Sequence, residues 1–186
     1  MNISRKRTFG CLSLFMLLTI LALAIGVDAD DKRHRRRDRA HGDDHYEEKK
    51  LKPITNNAYA DQCGACHFTY QPELLPAASW KKILDGTDDH FGEAVSLDRT
   101  TRAEIINYLM SNAADTSSAK IAGKIIRCLE GSAPGRITDI PYIRKKHHEI
   151  TPRVFQRKSV DSLSNCIACH RTAATGEYDD GVSIPE

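Results

Sequence analysis

The pentapeptide Cys-x-x-Cys-His occurs twice in the chain, at residues 63–67 and again at residues 166–170. This spacing is the attachment pattern of c-type haem, in which two thiols add to the porphyrin vinyl groups and the adjoining histidine ligates the iron. Positions i and i+3 of a helix lie on one face, which explains why the spacing is fixed. The pattern predicts two covalently bound haem c groups, with thioether bonds from Cys63, Cys66, Cys166 and Cys169 and proximal iron ligation by His67 and His170.

Two other chemistries use paired cysteines. A zinc site would need the two Cys-x-x-Cys pairs to combine, but they lie far apart in the chain and each is followed by a histidine. A thioredoxin-like redox site would need a βαβ context, which the sequence lacks. The paired motif therefore favours haem attachment over both.

The first 29 residues have the features of an export signal. Three basic residues at positions 5–7 precede a long apolar run, and Ala29 ends a small-residue cleavage pattern. The alternative is a retained membrane anchor, because the run approaches the minimum length of a membrane span. Cleavage after Ala29 is favoured, since the cleavage pattern ends the run cleanly. The mature protein is therefore expected in the bacterial periplasm, without stable membrane insertion.

Residues 30–50 are rich in charge and contain almost no large apolar side chain. Such a segment cannot bury enough surface to offset its ordering entropy, so a flexible arm is predicted. Docking of this arm to an acidic partner or to anionic lipid is the alternative. The histidines within it, His34, His41 and His45, are not counted as haem ligands.

Beyond residue 50 the pattern indicates helices joined by turn-rich loops, with no alternation long enough for a β-sheet. Asp98 is a predicted helix cap, and the helix after it carries Ile105 and Leu109 on one face. A second helix has Ile125 and Leu129 on one stripe. The predicted fold class is therefore mainly α: a small dihaem protein whose two haem-binding halves pack around the cofactors.

The boundaries of these halves are predicted at residues 51–115 and 116–186. Within the second half, residues 137–140 are expected to be extended, and Pro141 is expected to start a polar helix.

The second axial ligand of each iron decides what the iron can do. Outside the leader, the arm and the two motifs, the chain has three histidines, His90, His147 and His148, and one methionine, Met110. Three histidines for two positions make bis-histidine ligation the economical solution, with potentials below those of His/Met haems. Met110 falls on an apolar helical stripe, so packing in the core is favoured for it.

The three histidines are not equivalent. His90 follows a helix end, and its position alone supports ligation and solvent exposure equally. His147 and His148 are adjacent on a helix and point about 100° apart, so only one can face a given iron. His147 is favoured because it lies one turn after Ile143 and shares its apolar face.

One cysteine remains after the haem thiols are assigned. Cys128 lies beside the apolar stripe of its helix and is interpreted as a small buried residue. A thiolate ligand or a redox switch is the alternative.

From about residue 59 to residue 186 the chain resembles the dihaem cytochrome c (DHC) family of bacterial periplasmic electron carriers. The resemblance rests on residues 80–84, 89–98, 136–138, 141–150, 163–170 and 176–180. It implies that His90 and His147 are the distal ligands. Because each pair lies within one half of the chain, His67 and His90 are expected to ligate one iron, and His147 and His170 the other.

Six-coordinate haems favour a carrier of single electrons over an enzyme. The resemblance implies a small periplasmic monohaem cytochrome as acceptor and a membrane b-type cytochrome as donor. A haem enzyme of the peroxidase or nitrogen-oxide reductase type, or a haem-based ligand sensor, would need an open iron site, which the number of histidines disfavours. No nucleic-acid partner is expected.

Overall fold

The structure is a computed structural model that describes residues 50–179 and 182–186. The predicted signal peptide (residues 1–29) and residues 30–49 of the predicted arm lie outside the described residues. The described part contains seven α-helices and no β-strand. The prediction of a mainly α fold is therefore confirmed.

The helices are short and are joined by irregular segments and 3₁₀ turns. The α-helices are α1 (Asn57–Cys63), α2 (Ala77–Asp85), α3 (Arg99–Ser111), α4 (Lys120–Leu129), α5 (Pro141–Lys146), α6 (Pro152–Phe155) and α7 (Cys166–Cys169). The 3₁₀ helices are Pro72–Leu74, Thr87–Asp89, Ala114–Thr116, Ile137–Asp139 and Ala173–Thr175. Across residues 50–179 and 182–186, no helix combines the length and the apolar character that crossing a membrane requires.

Local sequence signals explain where several helices begin. The Asp98 carboxylate accepts hydrogen bonds from the backbone N–H groups of Thr100 (2.9 Å) and Thr101 (3.1 Å), so Asp98 caps α3 as predicted. The side chain of Asn56 caps α1 in the same way. Pro141 occupies the first position of α5, where its missing N–H leaves no hydrogen bond unmade.

One hydrophobic core includes residues of α2, α3 and α4. Ile105 and Leu109 of α3 are buried, and so are Ile125 and Leu129 of α4, which confirms both predicted stripes. Trp80 of α2 joins this core. Core residues come from both sides of position 115. The division into halves at 115/116 stays a prediction.

Two expectations were wrong. Met110 is 37% exposed, because the core side of α3 is occupied by Ile105 and Leu109 and the next residue points away. Residues 137–140 are not an extended segment, since a 3₁₀ helix covers Ile137–Asp139. Only Ile140 is extended there, as the residue before a proline usually is.

The two ends of the described region are joined by one backbone hydrogen bond. The N–H of Leu51 donates to the carbonyl of Gly176 at 3.0 Å. Gly176 has φ +85°, which favours glycine, and a Cβ on it would clash with the carbonyl oxygen of Leu51. Gly131 has nearly the same backbone angle, φ +84°, with open space around it.

Alanine substitutions at these two glycines distinguish the cost of backbone strain from the cost of a steric clash. Gly131→Ala should lower the free energy of unfolding by about 1–2 kcal/mol, the cost of an L-residue in the left-handed region. Gly176→Ala should lower the free energy of unfolding by about 1–3 kcal/mol more than Gly131→Ala does, because its methyl group also displaces Leu51. Urea unfolding of the haem-loaded protein, followed by circular dichroism, measures both. If both variants lost the same unfolding free energy, the close contact between Gly176 and Leu51 would be contradicted.

Candidate haem-binding site

All eight predicted site residues line one cavity of about 630 Å³. They are the thiols of Cys63, Cys66, Cys166 and Cys169 and the imidazoles of His67, His90, His147 and His170. The cavity volume lies in the range typical of ligand and cofactor sites. The two motifs and the two further histidines, which lie far apart in the sequence, therefore line the same cavity.

The first motif follows α1 directly. Cys63 is the last residue of α1 and Gly64 caps it. A Cβ at Gly64 would clash with the carbonyl of Ala60, so this position of the motif accepts only glycine without rearrangement. The ring of His67 lies 6.2 Å from the ring of His90, with only 22° between the ring planes.

The second motif forms α7, and His170 follows it as the capping residue. The ring of His170 lies 5.9 Å from the ring of His147, with 73° between the planes. The histidines thus form two pairs of similar separation but different relative orientation.

A separation near 6 Å fits two imidazoles that share one metal ion. A bond from an imidazole nitrogen to a metal is about 2 Å long, and two such bonds plus the radii of both rings give a centroid separation of about 6 Å. The residues present therefore fit two haem irons, each between two histidines. The axial assignments of His67, His90, His147 and His170 remain predictions that this geometry supports.

Three of the four imidazoles are oriented by a hydrogen bond to a backbone carbonyl. The Nδ1–H of His67 donates to Phe68 (2.7 Å), that of His147 to Ile143 (2.8 Å) and that of His170 to Tyr178 (2.7 Å). Such a bond selects the tautomer whose Nε2 is free for a metal. Within the described residues, the ring of His90 has no hydrogen bond of this kind.

His148 has a different environment from its neighbour. Its side chain is exposed, outside the cavity lining, and its Nδ1 bonds to the carbonyl of Lys145. The structure therefore brings His147, and not His148, to His170.

Burial affects the protonation of the site residues. It lowers the pKa of His170, and it lowers the pKa of His90 with a further contribution from nearby His67 and Arg136. A neutral imidazole is the form that ligates a metal. Burial also raises the pKa of Cys63 and of Cys166 to about 11. Both of these thiols are therefore protonated and uncharged at neutral pH.

A buried hydrogen-bond network joins the segments that carry the two motifs. The hydroxyl of Tyr70 donates to the carbonyl of Ser164 at 2.7 Å. The hydroxyl of Tyr178 donates to Gln71 Oε1, and Gln71 Nε2 donates to the carbonyl of Ala173 at 2.6 Å. Tyr178 also supplies the carbonyl that orients His170. Sequence patterns did not indicate this network, because its partners lie about 100 residues apart in the chain.

Two further candidates lie outside this cavity. Met110 does not line it, and its exposure shows that it is not a core residue either. Cys128 was expected to be buried but is only half-buried; it packs against the core, and its thiol contacts the carbonyl of Ile125 at 3.1 Å.

A mainly helical chain with two haem-attachment motifs and two histidine pairs around one cavity defines a small c-type cytochrome with two haem groups. The family model for dihaem cytochrome c matches residues 59–178. The chain therefore belongs to the dihaem cytochrome c family of electron-transfer haem proteins and has two haem c cofactors.

Solved structures support the same assignment. A dihaem cytochrome c from Rhodobacter sphaeroides is 38% identical with a TM-score of 0.61, and the match covers 68% of this chain and 99% of that one. A dihaem cytochrome c from Shewanella baltica OS155 is 35% identical with a TM-score of 0.57, covering 71% of this chain and 95% of that one. None of the curated proteins compared with the chain matches it.

The adjacent histidines of α5 give a matched pair for testing the ligand set. His147→Ala should convert one of the two haems from low-spin to high-spin, because it removes the imidazole that faces His170. His148→Ala should leave both haems low-spin, since this side chain points away from the cavity. The visible spectrum of each ferric variant reports the change. If only His148→Ala produced a high-spin haem, His148 and not His147 would be the ligand.

Proposed function

We propose that the protein is a periplasmic electron carrier with bis-histidine ligation at both irons. The observation that carries the proposal is the presence of two imidazole pairs, at 6.2 Å and 5.9 Å, each beside one attachment motif. A bound haem c supplies a one-electron iron couple, with a potential that histidine ligation keeps below that of His/Met sites. The chain holds both imidazoles of each pair, so that no axial position is left for a substrate.

The hydrogen bonds of the imidazoles support this role further. The Nδ1 bonds of His67, His147 and His170 restrain three of the rings, so the sites need little rearrangement when an electron arrives or leaves. An enzyme of the peroxidase or nitrogen-oxide reductase type needs an open position and a distal acid or base. The paired histidines occupy that position, which favours the carrier.

The carrier role is tested on the haem-loaded protein. The ferric and ferrous visible spectra should show two six-coordinate, low-spin haems, because an imidazole occupies both faces of each iron. Turnover with peroxide, nitrite or hydroxylamine should stay well below that of free haem c peptides, which serve as the reference for an open site because their single histidine leaves one iron position vacant. A high-spin fraction in the unmodified protein, together with sustained turnover, would show that the protein is an enzyme and not an electron carrier.

A basic patch beside the haem cavity supports the choice of an anionic redox partner. Lys124, Arg127 and Lys145 border a small surface depression next to Tyr142. The ammonium groups of Lys124 and Lys146 lie 5.8 Å and 6.0 Å from the centre of the Tyr142 ring. The term basic patch denotes these four cations.

The basic patch is unneutralised and adjoins the haem site. Its four side chains are exposed, and in the part of the chain that the structure describes none of them forms an ion pair with a carboxylate. Tyr142 and Lys146 also line the haem cavity. A partner with carboxylates around its own redox centre would neutralise these charges where the electron leaves. The proposed acceptor is a small periplasmic monohaem cytochrome, and the proposed donor is a membrane b-type cytochrome.

Charge reversal tests the basic patch without knowledge of the partner. The double variant Lys124→Glu/Lys145→Glu is compared with Lys82→Glu/Arg99→Glu, which changes the net charge equally at exposed residues that do not line the cavity. Ferricyanide, an anion, and tris(phenanthroline)cobalt(III), a cation, oxidise the reduced protein in stopped-flow mixing.

At low ionic strength the patch variant should react several-fold more slowly with ferricyanide and faster with the cobalt complex, because local charge steers the encounter. The control should change both rates much less, and 1 M salt, where the screening length is about 3 Å, should remove the difference. Equal effects of the two double variants would show that the basic patch does not steer electron exchange.

A further inference from the structure

His90 is held differently from the other three histidines of the cavity. Each of those has an Nδ1–H that donates to a backbone carbonyl, whereas the His90 ring has no hydrogen bond within the described residues. A ligand without such a bond needs another restraint, because its ring is otherwise free to turn away from the metal. The segment that follows His90 provides one.

His90 opens a tight turn of unusual composition. Its N–H donates to the carbonyl of Glu93 at 2.7 Å, and the N–H of Glu93 donates back at 3.3 Å. The two residues between them have positive φ angles, +60° for Phe91 and +100° for Gly92. Glycine suits such an angle, but a bulky aromatic residue does not. The Phe91 side chain is also 53% exposed, so burial does not explain why it is held there.

An arginine from a distant segment contacts this phenylalanine. The guanidinium carbon of Arg136 lies 3.9 Å from the centre of the Phe91 ring, a cation–π stack. The Phe91 ring in turn lies 4.8 Å from the ring of His90. All three side chains line the haem cavity. The stack therefore connects the turn that carries His90 to the start of the 3₁₀ helix Ile137–Asp139.

We propose that the Arg136–Phe91 stack is the latch that positions His90, and that the His67/His90 site is the one that opens to small diatomic ligands when this latch is released. The inference rests on the proposed role of His90 as an axial ligand. The latch takes the place of the missing carbonyl hydrogen bond, and it stabilises the strained backbone of Phe91. The His147/His170 site, in which both rings are hydrogen-bonded, stays closed.

Carbon monoxide binding to the reduced, haem-loaded protein tests the latch. In the unmodified protein, binding should be slow, limited by the release of His90. His90→Ala should bind carbon monoxide rapidly at one haem and defines the open rate. Arg136→Leu and Phe91→Leu should each raise the rate at one haem by about fivefold, the effect expected from losing an exposed cation–π contact. Arg144→Leu, at an exposed arginine outside the cavity lining, is the matched control and should not change the rate.

Two further variants separate a latch from general loosening. Arg136→Leu combined with Phe91→Leu should raise the rate no more than either change alone, because both remove the same contact. Arg136→Lys should lie between Arg136→Leu and the unmodified protein. Intact mass with two haems verifies that each variant is loaded, and Arg136→Lys and Phe91→Leu keep the test available if Arg136→Leu does not fold.

The outcomes are distinguishable from those that test the carrier role. If His90→Ala creates no binding haem, His90 is not a ligand, and the ligand set of the proposed function is wrong. If His90→Ala binds rapidly while Arg136→Leu and Phe91→Leu bind as slowly as the unmodified protein, the latch is wrong and the ligand set stands. Arg136→Leu/His90→Ala should bind at the same single haem as His90→Ala. Binding at both haems would mean that Arg136 acts on the other site, and would overturn the inference.

Discussion

The hydrogen bond between an imidazole Nδ1–H and a backbone carbonyl is the interaction on which this site depends. It holds His67, His147 and His170 in the tautomer whose Nε2 is free to ligate iron. Each acceptor carbonyl is set by local structure: one residue after His67, one turn before His147 in α5, and in the returning C-terminal segment for His170. Only the carbonyl of Ile143 belongs to a helix, whereas those of Phe68 and Tyr178 lie in irregular segments. The packed core of α2, α3 and α4 supplies the support for these segments.

The two histidine pairs differ in the angle between their ring planes and in the hydrogen bonds of their rings. The planes of His67 and His90 are 22° apart, and His90 is followed directly by Phe91, which has a positive φ angle. The planes of His147 and His170 are 73° apart, and both rings are hydrogen-bonded. The Tyr178–Gln71 contact links the carbonyl that orients His170 to the segment just after the first motif. Both imidazoles of one pair are therefore oriented by hydrogen bonds to backbone carbonyls, whereas the other pair includes one imidazole, that of His90, which contacts an exposed cation–π stack instead.

Much of the fold followed from local patterns in the sequence. Helical periodicity identified the buried faces of α3 and α4, and the Asp98 cap marked the start of α3 correctly. The expectation for Met110 was wrong because a stripe of adjacent apolar positions does not show which edge faces the core. Residues 137–139 form a 3₁₀ turn because the N–H groups of Asp139 and Ile140 donate i→i+3 hydrogen bonds, although three of the four residues at 137–140 are β-branched. Cysteine and histidine spacing identified the two motifs. It did not indicate the contacts of Gln71 with Tyr178 or of Phe91 with Arg136, since these residues are far apart in the sequence and meet only in the folded chain.

The central claim is that each iron lies between two imidazoles in the orientations the structure shows. Electron paramagnetic resonance of the ferric, haem-loaded protein tests it most directly, because the anisotropy of a low-spin ferric signal depends on the angle between the two axial ring planes. The near-parallel pair, His67 and His90, should give a rhombic low-spin signal, and the near-perpendicular pair, His147 and His170, a highly anisotropic one. Two low-spin signals of equal intensity and these two types are predicted. A high-spin signal from either iron, or two identical rhombic signals, would contradict the account.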